Sequence, residues 1–230
     1  MGKSQTKKLI ALGVVAAVLL AGAGGAYVYR KHQIATTAQR NYERGMAAYE
    51  AKDYSNALRP LSAYVSRNRE DGDAMFALAE TRRNVPAAEG AHIAAAVQFA
   101  QRARALMPSD PRPVELLLEL NLFQSRGVAE PKWTEVLALA DRLTELEADS
   151  DAASDARIEA NLALGRNDVA LEEAEQRAGA DDASFADAER LLKALTQAGA
   201  PQERVETLLD ELGEQYPDRM SITLFRVQQA

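Results

Sequence analysis

Few side chains in this sequence are of a type and spacing that could do chemistry. Its histidines are His32 and His92, and neither stands in H-E-x-x-H or any multi-histidine spacing that would hold a metal. His92 follows Glu89 near an expected helix start and reads as a solvated surface residue. The chain has no cysteine. That excludes a disulfide framework, a thiolate nucleophile and cysteine-based zinc or iron–sulfur sites. Acidic clusters occur at Asp149, Asp151 and Asp155, and again at Asp181, Asp182 and Asp187. Calcium would need a ligand loop with its turn glycine, and none is there. Aspartates at helix starts are explained by capping and by the helix dipole. No G-x-S-x-G, Walker A or G-x-G-x-x-G phosphate loop occurs, and Gly22, Gly24 and Gly25 lie in an apolar run. The sequence thus points to no catalytic residue, no metal ligand and no cofactor. An enzyme would need a site built from distant acids that no spacing announces. Trp133, the only tryptophan, follows Pro131. It is expected to pack between helices, and exposed it would be a binding anchor.

The elements that must carry these residues are helical. Alanine, leucine, glutamate and arginine dominate the 230 residues, and all favour helices. Aromatic residues make up only 6%, and no run alternates with a period of two, so strands have little support. Charge is uneven. From Arg30 to Arg69 there are 8 Lys/Arg against 3 Asp/Glu, and from Glu70 to the end 16 against 31. The acidic distal part argues against a nucleic-acid partner. The basic proximal part would suit anionic head groups.

Residues 9–29 carry no charge. As a helix these 21 residues would span about 31 Å, close to the thickness of a bilayer core. Lys3, Lys7 and Lys8 precede the run, Tyr27 and Tyr29 mark its far end, and Arg30 and Lys31 close it. Two readings stay open. One is an uncleaved signal-anchor. The other is a secretory signal peptide, with Leu9 to Leu20 as its apolar core and Ala21-Gly22-Ala23 as a cleavage site. The anchor is favoured because the apolar run continues past that site into a basic stop. Either reading exports the C-terminal part, so the expected location is a bacterial cytoplasmic membrane with a periplasmic domain, or secretion after cleavage. Ala17, Ala21 and Gly25 form a small-residue ridge that would permit a homo-oligomer. The expected division is a basic tail at 1–8, the span at 9–29, a linker at 30–34 and a repeat domain at 35–230.

Beyond Lys31 the punctuation is regular. Helices are expected at about 35–52, 54–68, 73–83, 91–107, 111–125, 133–148, 152–164, 168–178, 184–198 and 201–215. An eleventh begins near Arg219. Asp53 is the expected cap of the second helix, Asp110 of the fifth and Asn167 of the eighth, and Pro60 should bend the second. Gly199 reads as a C-terminal stop. In the second helix of each pair, Ala57, Ala96, Val136, Ala170 and Val205 recur at intervals of 34 to 40 residues. A two-helix unit of that period indicates stacked hairpins.

The stretch Asn41 to Arg67, NYERGMAAYEAKDYSNALRPLSAYVSR, resembles a tetratricopeptide repeat. Gly45 stands at the family's small position, Lys52-Asp53-Tyr54 at its turn, Ala57 at the opposing small residue and Leu61 at the large apolar one. Gly165-Arg166-Asn167-Asp168-Val169-Ala170-Leu171 is similar to the family's turn, and Pro108 and Pro217 to its closing proline. The family's tryptophan is missing, and breaks near Pro86 and Pro131 are longer. The resemblance implies an all-α, right-handed α-solenoid of about five hairpins after one transmembrane helix. First helices would line a concave groove, offering Tyr42, Met46, Tyr49, Phe76, Glu80, Arg83, Glu115, Glu119 and Phe123 to a partner. Tyr42, Met46 and Tyr49 also have core spacing. The family's clamp for terminal carboxylates is not reproduced, since Glu115 and Glu119 occupy the third first helix. The implied function is a membrane-anchored, protein-binding scaffold of the cell envelope. The alternative is the anchor and first repeats of a larger assembly or secretion machine. It is motivated by the half-repeat at Ser221 to Ala230, whose Leu224, Phe225 and Val227 form an apolar face where a polar cap is usual.

Overall fold

A computed structural model of the chain describes residues 29–30, 32–126, 131–147, 150–181 and 183–229, the side chains of 224 and 226–229 excepted. The expected span therefore lies outside the described residues, apart from Tyr29. No helix among the described residues is long and apolar enough to cross a membrane. The chain divides into two compact units, 1–106 and 107–230.

The first unit contains α1 (32–50), α2 (Tyr54–Val65), α3 (Gly72–Asn84) and α4 (Ala91–Leu106). Gly45 and Leu61 lock α1 to α2. A Cβ on Gly45 would stand 2.8 Å from Leu61 Cδ2 and 3.1 Å from its backbone nitrogen. Asp53 caps α2 by accepting from the Asn56 amide at 3.2 Å, and Pro60 lies buried inside that helix. Asp71 caps α3 through the Ala74 amide at 2.9 Å. The same carboxylate accepts from the Tyr64 hydroxyl at 2.8 Å, joining the end of one hairpin to the start of the next. A short 3-10 turn, Ala88–Gly90, fills the Pro86 break.

The second unit contains α5 (Arg112–Ser125), α6 (Trp133–Leu146), α7 (Asp151–Ala163), α8 (Asn167–Ala178), α9 (Phe185–Gln197), α10 (Gln202–Gln215) and α11 (Met220–Gln229). Consecutive helices pack as hairpins, and the first helices α5, α7 and α9 lie beside one another. Every second-helix landmark is buried, from Ala57, Ala96, Val136 and Ala170 at 0% exposure to Val205 at 4%. That is the repeat's structural content, because these small residues sit where the two helices of a pair close.

Three hairpins close with the same turn. Lys52, Gly165 and Gly199 adopt φ of 57°, 71° and 68°. In each case the next amide reaches back five residues: Asp53 to Ala48, Arg166 to Asn161 and Ala200 to Leu195, at 2.8, 2.8 and 3.0 Å. This left-handed closure satisfies carbonyls that a helix end would leave open.

Two caps differ from expectation. Pro111, not Asp110, holds the cap position of α5; the Asp110 carboxylate instead accepts from the Arg112 amide at 3.0 Å. Asn167 is the first residue of α8 and donates to the Gln197 carbonyl in the next hairpin at 3.0 Å. The Gly165 turn already closes the chain there, which frees Asn167 to bridge. At the C-terminal end, Ile222 of α11 is buried with Leu192, Leu195, Val205, Leu209 and Leu212, and Phe225 packs against them. The helix thus stacks on the last hairpin; of the apolar face Leu224, Phe225 and Val227, only Phe225 is among the described side chains.

Candidate protein-binding surface

In the second unit, α5, α7 and α9 surround a hollow of about 320 Å³. Leu118, Ile158 and Leu162 form a buried floor, with Leu122 beside them. Their spacings, one helical turn apart on each helix, put them on one face. Around the rim stand Glu119 from α5, Arg126 just beyond its end, Asp155 and Glu159 from α7, and Arg190 and Lys193 from α9.

Both rim arginines are held in place by carboxylates. Arg126 makes a two-pronged bond to Glu159, with Nε to Oε1 at 2.7 Å and Nη2 to Oε2 at 2.5 Å. Such a planar pairing fixes direction as well as distance, and it holds the guanidinium charged. Arg190 bonds to Asp155 and, at 2.8 Å, to Asp187. Burial is the largest influence on both aspartates. It wins at Asp155, whose carboxyl is raised despite Arg190, with Asp187 and Asp151 adding repulsion. At Asp187 burial is outweighed by bonds from Ser184 and by Arg177 and Arg190, so its carboxyl is lowered. Asp187 is also the third residue of a reciprocal cap with Ser184 at the start of α9. The surface is thus a preset array of both signs over an apolar floor. Among the described residues no cluster of His, Asp and Glu could hold a metal ion.

The expected groove residues divide between the units. In the first, Tyr49 donates its hydroxyl to Glu80, joining α1 to α3. Tyr42 stacks at 4.9 Å, tilted, on Tyr64 of α2. Phe76 is buried, Met46 half-buried and Arg83 exposed. In the second, Glu115, Glu119 and Phe123 follow one another along one exposed stripe of α5, and Phe123 is 65% exposed. Only Glu119 lines the hollow. Trp133 is half-buried at the start of α6. Sequence reasoning missed Arg126, Asp155, Glu159, Arg190 and Lys193. The available signal was the period itself: Glu119, Asp155 and Arg190 are 36 and 35 residues apart, and Phe123, Glu159 and Lys193 are 36 and 34 apart, so carrying the groove positions forward one repeat at a time reaches all of these but Arg126.

No family model and no curated protein sequence matches the chain. Solved structures do. A crystal structure of MamA is similar with a TM-score of 0.64 at 12% identity, over 78% of this chain and 95% of that one. A second MamA structure gives 0.62 at 17%, over 77% and 97%. A thermophilic TPR protein of Thermus thermophilus gives 0.52 at 16%, over 81% and 95%. At these identities the likeness is one of fold, and that fold is the TPR-like α-solenoid.

Proposed function

We propose that this protein is a binding scaffold whose second unit receives a segment of a partner protein across α5, α7 and α9, and whose N-terminal apolar run anchors it in a membrane. The observation that carries the binding role is the hollow over Leu118, Ile158 and Leu162, rimmed by charges of both signs from three successive first helices. An apolar side chain of the partner would fill the floor, and polar groups would register against Glu119, Arg126 and Lys193. Affinity in such interfaces comes from the buried anchor, while rim charges set orientation and encounter rate. The fold supports the reading by analogy, since TPR-like solenoids present surface and not reactive groups. The anchoring, and export of the repeat part to the far side of a cytoplasmic membrane, rest on the uncharged run of 9–29 and its basic flanks.

The test is affinity capture from native membranes with the full chain, beside a Glu119→Lys, Lys193→Glu variant that inverts the rim. The wild type should retain a protein that the variant loses. Equal capture by both would remove the hollow from the account. A reporter fused after Ala230 checks export separately, and a signal confined to the cytoplasm would refute it.

A further inference from the structure

The first unit has a pocket of a different character, on the side of the second helices. It has a volume of about 490 Å³ and is bounded by α2, α3 and α4. Its floor is Val65, Met75, Leu78 and Phe99, and its rim carries Arg69, Arg82 and Arg102 with no carboxylate among the lining residues. Met75, Leu78 and Arg82 follow one face of α3, and Phe99 and Arg102 one face of α4, so the helices themselves aim apolar and cationic groups into one space.

Most arginines of the second unit are spent on ion pairs: Arg112, Arg126, Arg142, Arg157, Arg177, Arg190 and Arg204 each meet a carboxylate. Arg69, Arg82 and Arg102 make none among the described residues. Arg82 Nε is buried without an acceptor, and so is Ser62 Oγ at the same pocket. A guanidinium donor removed from water and left unbonded is costly, and a carboxylate brought to it gains a charge-assisted bond in a partly desolvated place.

We propose that this pocket binds an acidic peptide segment carrying a bulky apolar side chain, the side chain entering over Met75, Leu78 and Phe99 and flanking carboxylates meeting Arg69, Arg82 and Arg102. The pocket's volume suits one large side chain and its neighbours. Three cations without an internal counter-charge define the sign of the ligand. The site shares no residue with the hollow of the second unit, so the two binding roles stand or fall separately.

The experiment is fluorescence anisotropy of a short labelled peptide of glutamates and aspartates with two leucines at its centre, titrated with the full chain in detergent. It should bind, and added salt should weaken it. The same peptide with serines in place of leucines should bind at least about tenfold more weakly. Arg69→Gln combined with Arg102→Gln, and Arg82→Gln alone, should each cost about tenfold. Gln98→Glu, an exposed change that places an acid in the pocket, should do the same without touching a core residue. Glu119→Lys with Lys193→Glu should bind the probe as the wild type does. Failure of the probe to bind, equal binding of the serine peptide, or indifference to the arginine variants and Gln98→Glu would overturn the proposal. Arginine-dependent capture of phosphatidylglycerol vesicles, or arginine-dependent self-association, without peptide binding would also overturn it.

Discussion

Lys52 holds a backbone conformation that glycine holds in the sister turns. At φ 57° its Cβ crowds the neighbouring carbonyl, at a cost of about 1 kcal/mol relative to glycine. Lys52→Gly should therefore raise stability by about 0.5–1 kcal/mol, read as a higher urea midpoint with an unchanged slope. No gain would mean that the turn is held by something other than its backbone hydrogen bonds. Tyr64 makes a second prediction. Burial, followed by the hydrogen bond and negative charge of Asp71, pushes its hydroxyl up to about 12. The folded state then holds this proton more tightly than the unfolded chain, whose tyrosine titrates near 10. The stabilisation is complete below about pH 10 and is lost as pH rises through about 12. Urea midpoints measured across that window should fall, and Tyr64→Phe should flatten the fall. An equal fall in both proteins would assign the loss to other groups.

Among the elements, α1 and α2 approach through Gly45. A methyl group there would meet Leu61, which is wholly buried, and also the backbone of α2. Gly45→Ala gains up to about 1 kcal/mol in helix propensity, but overpacking costs about 1–3 kcal/mol. The expected net effect is a loss of about 1–2 kcal/mol in denaturant unfolding, and a gain would show that the helices are farther apart than described. Elements of this kind are legible in the sequence because their boundaries are chemical. Asp53 caps, Gly165 and Gly199 turn left-handed, and Ala57, Ala170 and Val205 keep the period at the buried seam. The caps expected at Asp110 and Asn167 fall one residue away, since either neighbour can take the role until the turn geometry is known. The rim of the hollow is largely illegible. Arg126 has many acids within reach of its sequence position, and its pairing with Glu159 depends on the register in which α5 lies beside α7.

At the scale of the whole molecule the two units differ in charge and in what their charges do. Residues 1–106 hold 15 Lys/Arg against 8 Asp/Glu, and residues 107–230 hold 12 against 26. In the acidic unit several arginines form rungs between hairpins: Arg126 with Glu159, Arg190 with Asp155 and Arg204 with Glu175. In the basic unit three arginines are left facing a pocket. A repeat protein can keep such surfaces apart because each hairpin depends mainly on its neighbours. Such modularity lets the fold be similar to that of proteins only 12–17% identical.

The central claim is that the face of α5, α7 and α9 receives a protein. The most direct measurement places a photo-reactive benzoylphenylalanine at position 119, on the rim of the hollow, and in a second preparation at position 169, where Val169 is 51% exposed on α8. Both full chains are irradiated in native membranes. A discrete adduct with another protein is expected from position 119 and none from 169. The same adducts from both positions, or no adduct from 119, would contradict the claim.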